Sequence, residues 1–152
     1  MTMTGNKFKF NPRFLAELSR KSKLAIVGSA GVGKTTLLNE LFELDLITGD
    51  FTKIPEMVRV VCAERGYESP YDIPAEEVNE FREHVLDRQI ELENQTEKFI
   101  ADRSCLDAWL YFMRWSWNNV DVEVSERFFQ KAYAQTKKYQ MMTFTLWNIL
   151  MV

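Results

Sequence analysis

A glycine-rich stretch in the first quarter of the chain carries the most specific chemistry of the sequence. Residues 28–36 read GSAGVGKTT, in which Gly28, Gly33, Lys34 and Thr35 satisfy the pattern G-x-x-x-x-G-K-[ST]. Glycines let backbone N–H groups turn toward a bound phosphate, at angles that residues with side chains resist. The lysine of this pattern reaches the β- and γ-phosphates, and the threonine hydroxyl is placed to bind Mg²⁺. The residues expected to contact a nucleoside triphosphate are Gly28, Ser29, Ala30, Gly31, Val32, Gly33, Lys34, Thr35 and Thr36.

An acid and an arginine stand side by side in Asp102-Arg103-Ser104, directly after the apolar residues of a predicted strand. An acid at the carboxyl end of a strand beside the phosphate loop can organise Mg²⁺ or its water shell. An arginine next to it can point at an anionic or transferring group. An ordinary pair of surface charges is the alternative. Combined with the loop, the pattern favours Asp102 and Arg103 as catalytic residues beside Lys34, with Asp102 and Thr35 near the metal.

A second acid and arginine occur in the segment Pro55-Glu56-x-x-Arg59. Glu56 and Arg59 are three residues apart at the start of a predicted helix, so a local ion pair is one interpretation. The segment also follows a predicted strand, and open α/β folds bind ligands at the carboxyl edge of their sheet. A carboxylate there can orient or deprotonate a substrate hydroxyl. We expect Glu56 to act on a substrate, with Arg59 and Arg103 near anionic groups.

Strands that alternate with helices must position these residues. Short apolar runs predict strands at residues 23–28, 51–54 and 97–104, with a fourth at 140–150. Apolar residues at helical spacing predict helices at residues 11–21, 35–44, 56–65, 75–94, 106–117 and 122–138. Strands separated by helices in this order form parallel sheets covered on both faces. The predicted fold class is α/β, with three α/β/α layers around a mostly parallel sheet of about four strands.

Two further features are interpreted without a functional role. The glutamate-rich stretch from Glu76 to Glu97 is interpreted as a solvated helix face and not as a metal site. The aromatic side chains of residues 109–117 have the composition of a base-stacking platform for single-stranded nucleic acid. Such platforms come with basic grooves, so a helix buried against the sheet explains these aromatic residues better.

The overall composition is that of a globular domain. A length of 152 residues fits one domain, with 46% hydrophobic and 27% charged residues. The net charge of -3 offers no general surface for polyanions, so nucleic acid is not expected as a partner. No apolar stretch has the length of a membrane span and no secretory signal is recognisable, which predicts a cytoplasmic protein without membrane contact. Cys62 and Cys105 lack CxxC spacing and are interpreted as reduced core thiols.

The motifs of switch-type GTPases are missing from the sequence. Such proteins carry D-x-x-G after a strand and N-K-x-D for guanine. Asp45 is followed by Gly49, one residue too far, and the stretch from Thr52 to Pro55 lacks the acid of the guanine motif. The sequence therefore argues against a GTPase of this type.

The order GxxxxGKTT, PExxR and DRSxxDAxxY resembles small P-loop kinase-like ATPases related to ribosylnicotinamide kinase, and more loosely thymidylate and deoxynucleoside kinases. The similarity covers about Lys23 to Met113. It implies the P-loop nucleoside-triphosphate hydrolase fold, ATP with Mg²⁺, and a nucleoside- or nucleotide-like acceptor. It also implies that Asp107 and Tyr111 line the acceptor pocket. An acid in the first helical turn that complements the helix dipole is an equal alternative for Asp107.

Kinases of this group continue beyond the fourth strand with an arginine-rich lid, a fifth strand and an adenine-facing loop. The resemblance therefore predicts a single domain over residues 1–152 that is incomplete at its C-terminus relative to the family. A truncated product, a minimal P-loop protein and a lid supplied by a partner are the three explanations. The apolar residues Trp147, Ile149 and Leu150 favour association, and we expect a homodimer.

Taken together, the motifs predict a kinase that transfers a phosphoryl group from ATP to a small nucleoside- or nucleotide-like molecule. Lid closure excludes water and adds charge stabilisation, so its absence is an argument against efficient transfer. The alternative is a non-catalytic or regulatory ATP-binding module, or an ATPase, that acts through a protein partner.

Overall fold

The computed structural model of the protein describes residues 9–29, 31–44, 48–116 and 121–140, except for the side chains of residues 115 and 116. Its elements in chain order are helix α1 (Pro12–Leu18), strand β1 (Lys23–Ile26), helix α2 (Lys34–Phe42), strand β2 (Thr52–Ile54), helix α3 (Met57–Glu64), a 3₁₀ turn (Pro70–Asp72), helix α4 (Val78–Asn94), strand β3 (Phe99–Asp102), helix α5 (Cys105–Ser116) and helix α6 (Val122–Thr136). Each predicted helix and strand in the described ranges is present. Strand β3 is shorter than the predicted 97–104, because Arg103 leaves the extended conformation with φ of 88°.

The three strands form a parallel sheet in the order β1-β3-β2. Strand β3 lies in the middle, and its four residues are all buried because it has a strand on each side and helices on each face. The register pairs Ile26 with Asp102 and Ile54 with Ala101, so the three strands end at one edge. The chain therefore leaves the sheet at that edge into the phosphate loop, into Glu56 and into Arg103.

Alternate residues of β3 face two different helical layers. Ile100 packs with α1 and α2 in a cluster of Phe10, Phe14, Leu18, Leu24, Leu37, Leu38, Leu41 and Phe51. Phe99 and Ala101 pack with α3 and α4 in a cluster of Ile54, Met57, Val61, Cys62, Ile73, Phe81 and Val85. The predicted three-layer α/β/α arrangement with a parallel sheet is confirmed.

Helices α5 and α6 extend the layer formed by α4. Leu86, Cys105, Phe112, Phe128 and Ala132 form a buried cluster, in which the rings of Phe112 and Phe128 stack with centroids 4.7 Å apart. Of the aromatic residues at 109–117, Phe112 is buried and agrees with the interpretation as core, whereas Trp109 and Tyr111 are half-buried. No helix among the described residues combines the length and the apolar character needed to cross a membrane.

The fourth predicted strand, at 140–150, lies outside the described residues except for its first member. The N–H of Gln140 donates to the carbonyl of Lys23 at 2.8 Å. The carbonyls of Ser22 and Ile26 accept from Phe99 and Arg103 of the β3 segment, so the carbonyl of Lys23 points to the opposite side of β1. Gln140 is therefore at the edge of β1 that β3 leaves free. The apolar residues 147–150, on which the expected homodimer rests, are likewise outside the described part.

Candidate functional site

The loop between β1 and α2 has the backbone of an anion-binding turn. Gly31 and Gly33 adopt φ angles of 76° and 89°, in the left-handed region that side-chain-bearing residues rarely enter. The loop residues Ser29, Gly31, Val32 and Gly33 are exposed, so their backbone is accessible to a ligand. Helix α2 starts directly after Gly33 and directs the positive end of its dipole toward the loop.

Lys34 is buried in this loop, and its hydrogen-bond partner within the described part of the chain is a backbone carbonyl. The residue is 8% exposed, and its Nζ donates to the carbonyl of Ser29 at 2.5 Å. No carboxylate in the described ranges lies within salt-bridge distance of this ammonium group. Buried charges are normally paired, and a bound phosphate would provide the missing negative charge. The surroundings of Lys34 therefore fit a triphosphate.

Thr35 and Asp102 connect the phosphate loop to the end of β3. The hydroxyl of Thr35 donates to Oδ2 of Asp102 at 2.5 Å, and Asp102 is 3% exposed. Mg²⁺ prefers oxygen ligands and is usually held by one or two protein groups together with substrate phosphates. These two oxygen-bearing side chains fit such a site. No group of three or more His, Cys, Asp or Glu residues in the described chain forms a separate metal site.

Glu56 joins the ends of β2 and β3 through ion pairs with two arginines. Its Oε1 accepts from Nε of Arg103 at 2.7 Å, and its Oε2 pairs with Nε of Arg59 at 2.9 Å. The side chains of Glu56 and Arg103 are only 16% and 12% exposed, whereas that of Arg59 is 74% exposed. Glu56 and Arg59 therefore form the local ion pair that was one interpretation, and Glu56 also reaches across the edge of the sheet to Arg103. The action of Glu56 on a substrate stays a prediction.

Besides the pair with Glu56, three further contacts hold Arg103 in place. Its N–H donates to the carbonyl of Ile26 at 3.1 Å, and its carbonyl accepts from Nε2 of Gln89 at 2.9 Å. Its guanidinium lies over the ring of Tyr111, with Cζ 4.9 Å from the ring centroid. Burial by itself lowers the pKa of Arg103, but the hydrogen bond and charge of Glu56 outweigh burial with help from Tyr111 and Asp107, so the pKa is raised. Arg103 is thus a fixed cation beside Asp102.

A model of the AAA domain family matches residues 23–146 of the chain. The chain belongs to the AAA domain family of P-loop NTPases. The match covers the phosphate loop, Glu56, Asp102 and Arg103. Comparison with curated proteins and with solved structures gives no significant match.

Membership in the AAA domain family has general consequences for the site. Such P-loop domains bind a nucleoside triphosphate with Mg²⁺, in keeping with the geometry around Lys34, Thr35 and Asp102. They are NTPases or kinases in general, and the family match does not extend to a kinase subgroup. Of the predicted phosphate-loop residues in this AAA domain, Ala30 lies outside the described ranges.

Helix α4 of the AAA domain contributes a buried polar network that sequence reasoning missed. Glu93 is fully buried and accepts hydrogen bonds from Nε2 of Gln89 and Nε2 of Gln135, both at 2.9 Å, and from the hydroxyl of Tyr139 at 2.6 Å. The interpretation of residues 76–97 as a solvated face is therefore wrong for Glu93. Because Gln89 also binds the Arg103 carbonyl, the network supports the backbone of a site residue. The sequence does contain a signal for this burial. Gln89 and Glu93 follow Val85 and Leu86 at helical spacing, so they lie on the apolar stripe of the helix.

The thiol of Cys105 and the hydroxyl of Tyr139 also belong to this network. Cys105 lies next to both carboxylate oxygens of Glu93, with Sγ 3.7 and 3.8 Å away. Burial, reinforced by the carboxylate of Glu93, raises the pKa of the Cys105 thiol. Burial likewise raises the pKa of the Tyr139 hydroxyl, with contributions from Cys105 and Glu93. Both groups therefore stay protonated at neutral pH and act as hydrogen-bond donors. Cys62 and Cys105 are free and buried, which confirms their interpretation as core thiols.

Asp107 is engaged with Ser104 at the start of α5. Its Oδ2 accepts from the Ser104 N–H at 2.7 Å and from the Ser104 hydroxyl at 2.8 Å, while the Asp107 N–H donates back to Oγ of Ser104 at 3.3 Å. This reciprocal arrangement is a capping box. It favours the helix-start interpretation of Asp107 over the acceptor-pocket interpretation. Glu56, Arg59, Arg103 and Tyr111 are thus brought together. Asp107 lies close enough to Arg103 to raise its pKa, but its Oδ2 accepts its hydrogen bonds from Ser104.

Replacing Asp107 by alanine is expected to lower the free energy of unfolding by about 1 kcal/mol, because one capping interaction is lost. Chemical denaturation of the wild type and of Asp107→Ala measures this difference. The affinity for MgATP is expected to stay the same, since Asp107 does not contact the phosphate loop. A Michaelis constant for an acceptor that rises without any loss of stability would instead place Asp107 in the acceptor pocket.

Proposed function

We propose that this AAA domain transfers the γ-phosphoryl group of ATP to a hydroxyl of a small nucleoside- or nucleotide-like molecule. The observation that carries the proposal is the placement of Glu56 at the carboxyl edge of the sheet, ion-paired with Arg103, which directly follows Asp102. An ATP-binding module without an acceptor needs the loop, Lys34 and Thr35. A module that only binds ATP has no need of a half-buried carboxylate and arginine beside the place where the metal would lie. An ATPase would use them on water, so the dependence of turnover on an acceptor distinguishes the two activities.

Each side chain has a distinct task in this proposal. When bound, MgATP supplies the phosphoryl group and the cation that neutralises its charge. Lys34 and the loop backbone hold the phosphates, and the oxygens of Thr35 and Asp102 face the metal. Glu56 takes up the proton of the acceptor hydroxyl while the hydroxyl oxygen bonds to the γ-phosphorus and ADP is released.

The ion pairs of Glu56 are compatible with that role. A carboxylate has about four acceptor positions on its two oxygens, and Arg59 and Arg103 each occupy one. Every oxygen of Glu56 therefore keeps a free lone pair for an acceptor hydroxyl. The two guanidinium groups fix the carboxylate in place, which reduces the conformational freedom lost when an acceptor binds. They also place positive charge next to the transferring group.

Calorimetric titration with ATP and Mg²⁺, followed by a coupled assay of ADP release over a panel of nucleosides and nucleotides, tests the proposal. We expect ATP to bind and ADP release to depend on at least one member of the panel. ATP binding combined with ADP release that no acceptor stimulates would overturn the kinase proposal in favour of an ATP-binding or ATPase module.

A further inference from the structure

The buried face of α4 carries an arginine beyond the carboxyl edge of the sheet. Gln89 of this face contacts the carbonyl of Arg103, where β3 ends. Helix α4 leads through a short turn into β3, so the two elements run in opposite directions, and earlier residues of α4 lie farther beyond that edge. Arg82 precedes Gln89 by two helical turns on the same buried face, a distance of about 10 Å along the axis. Arg82 therefore projects from the helix on the side where open α/β folds bind ligands.

Arg82 has no counter-ion among the described residues. It is 5% exposed, and its Nε is buried without a hydrogen-bond partner. The half-buried arginines of the described chain are paired: Arg65 with Glu80, Arg88 with Glu91 and Arg103 with Glu56. Removing a charge from water without compensation costs several kcal/mol on the order-of-magnitude scale of buried ions. An arginine in this state is a ready binding group for an anion.

The surroundings of Arg82 come from four elements. Its guanidinium lies 5.8 Å from the ring centroid of Phe81 on its own helix. Burial lowers the pKa of Arg82, and Cys62 of α3, Tyr111 of α5 and Tyr71 of the 3₁₀ turn oppose part of that shift from nearby. Tyr111 also carries the guanidinium of Arg103 on its ring. Tyr111 thus lies near Arg82 and also near the Glu56–Arg103 pair.

We propose that Arg82 binds an anionic group, a carboxylate or a phosphate monoester, at the end of the acceptor remote from the hydroxyl that is phosphorylated. This inference rests on the proposed function for the identity of the ligand as an acceptor. Glu56 and Arg103 bind the reacting end, and Arg82, which like Arg103 lies near Tyr111, binds the charged end. The acceptor class is therefore a nucleoside-like molecule that bears an acidic group besides its free hydroxyl.

The chemistry of the guanidinium supports this assignment. Its planar fork of N–H donors matches the two oxygens of a carboxylate or a phosphate. An anion bound at the guanidinium of Arg82 would neutralise its buried charge. An uncharged acceptor leaves that charge uncompensated, so the site is expected to discriminate against it by more than a surface arginine would.

Two matched pairs of acceptors test the proposal. Orotidine and uridine differ by a carboxylate, and thymidine 3′-monophosphate and thymidine differ by a phosphate, while all four keep a free 5′-hydroxyl. We expect wild-type kcat/KM to favour one acidic member over its neutral partner by at least about 10-fold, in keeping with a charge-assisted contact. Which pair shows the preference distinguishes a carboxylate from a phosphate. The substitution Arg82→Met is expected to abolish the preference and to leave the affinity for MgATP unchanged.

The matched control is Arg88→Met on the same helix, since Arg88 is more exposed and has Glu91 and Glu64 as partners. It is expected to keep the preference. If Arg82→Met does not fold, Arg82→Lys retains the charge without the fork and is expected to reduce the preference. An Arg82 with a purely structural role would lower the melting temperature when replaced and leave the ratio of acidic to neutral acceptor unchanged. Equal use of the acidic and neutral members by the wild type would also overturn the proposal.

Direct titration separates this inference from the proposed function. If no compound of the panel stimulates ADP release, the kinase proposal fails, and binding of orotidine and thymidine 3′-monophosphate is measured by calorimetry without turnover. Binding of either compound that is lost in Arg82→Met would support an anion site at Arg82. Absence of binding of both compounds to the wild type would overturn it.

Discussion

Replacing Lys34 by alanine is expected to weaken the binding of MgATP by about 10- to 100-fold and to abolish acceptor-dependent release of ADP. A hydrogen bond to a charged group contributes about 1.5 to 3 kcal/mol, which corresponds to that range of affinity. The effect on turnover is larger, because the ammonium group also faces charge that develops on the transferring phosphoryl group. Calorimetric titration and the coupled ADP assay measure the two effects separately.

Lys53→Ala provides a matched control for this experiment. Lys53 is an exposed lysine of β2 whose Nζ binds Oδ1 of Asn39 on α2, the same helix that starts at Lys34. The substitution removes a surface lysine that contacts α2 and leaves the phosphate loop itself unchanged. We expect MgATP affinity close to that of the wild type. Equal losses in both variants, or unchanged affinity in Lys34→Ala, would contradict the assignment of Lys34 to the phosphates.

The loss in Lys34→Ala is not expected to come from unfolding. Among the described residues, the Nζ of Lys34 has only the carbonyl of Ser29 as its partner, and this carbonyl belongs to an exposed loop residue that water can reach. Removing a buried ammonium group that lacks a carboxylate also relieves a desolvation cost. The melting temperature without ligand is therefore expected to stay the same or to rise, so the variant separates ligand binding from stability.

The phosphate loop was predictable from the sequence because its chemistry is local. The spacing of Gly28, Gly33, Lys34 and Thr35 alone sets which backbone groups and which side chains meet a phosphate. The parallel direction of the strands was also predictable, because short apolar runs alternate with helices along the chain. Both predictions depend on residues that are neighbours in the chain or that repeat with a regular period.

The supports of Arg103 were not predictable in the same way. Gln89 donates to the Arg103 carbonyl although the two residues are fourteen positions apart in the chain. Glu93 accepts from partners that are still more distant, Gln135 and Tyr139. A glutamine or glutamate on a helix that is mostly polar is usually solvated, and this expectation is what failed. The same expectation concealed Arg82, whose burial depends on how α3, α4 and α5 pack.

The buried residues Gln89 and Glu93 of α4 help to fix the conformation of Arg103. Arg103 is the one described residue other than glycine with a positive φ, and such a conformation costs on the order of 1 to 3 kcal/mol. The hydrogen bond from Gln89 and the pairing with Glu56 act on the backbone and on the side chain of the same residue. The network thus holds Arg103 in a conformation in which its guanidinium reaches Glu56 at the end of β2.

Replacing Glu56 by glutamine is expected to lower acceptor-dependent turnover by about 100- to 10,000-fold, the range attributed to a positioned general base. Glutamine has nearly the same size and keeps an oxygen for Nε of Arg103, but it cannot take up the proton of an acceptor hydroxyl. The affinity for MgATP is expected to stay within about threefold of the wild type, because the loop and Lys34 are unchanged. The coupled ADP assay with a saturating acceptor gives kcat, and titration with ATP gives the affinity.

Glu64→Gln at the far end of α3 is the matched control for this substitution. Glu64 is also a glutamate paired with an arginine, at 3.4 Å from Arg88, but its side chain is 46% exposed and it lies away from the edge of the sheet. We expect full turnover in Glu64→Gln. A Glu56→Gln variant that melts at a lower temperature yet turns over at the wild-type rate would reduce Glu56 to a structural tie between the ends of β2 and β3. A loss of turnover with unchanged ATP affinity and an intact fold is the result that only a role in proton transfer or acceptor positioning explains.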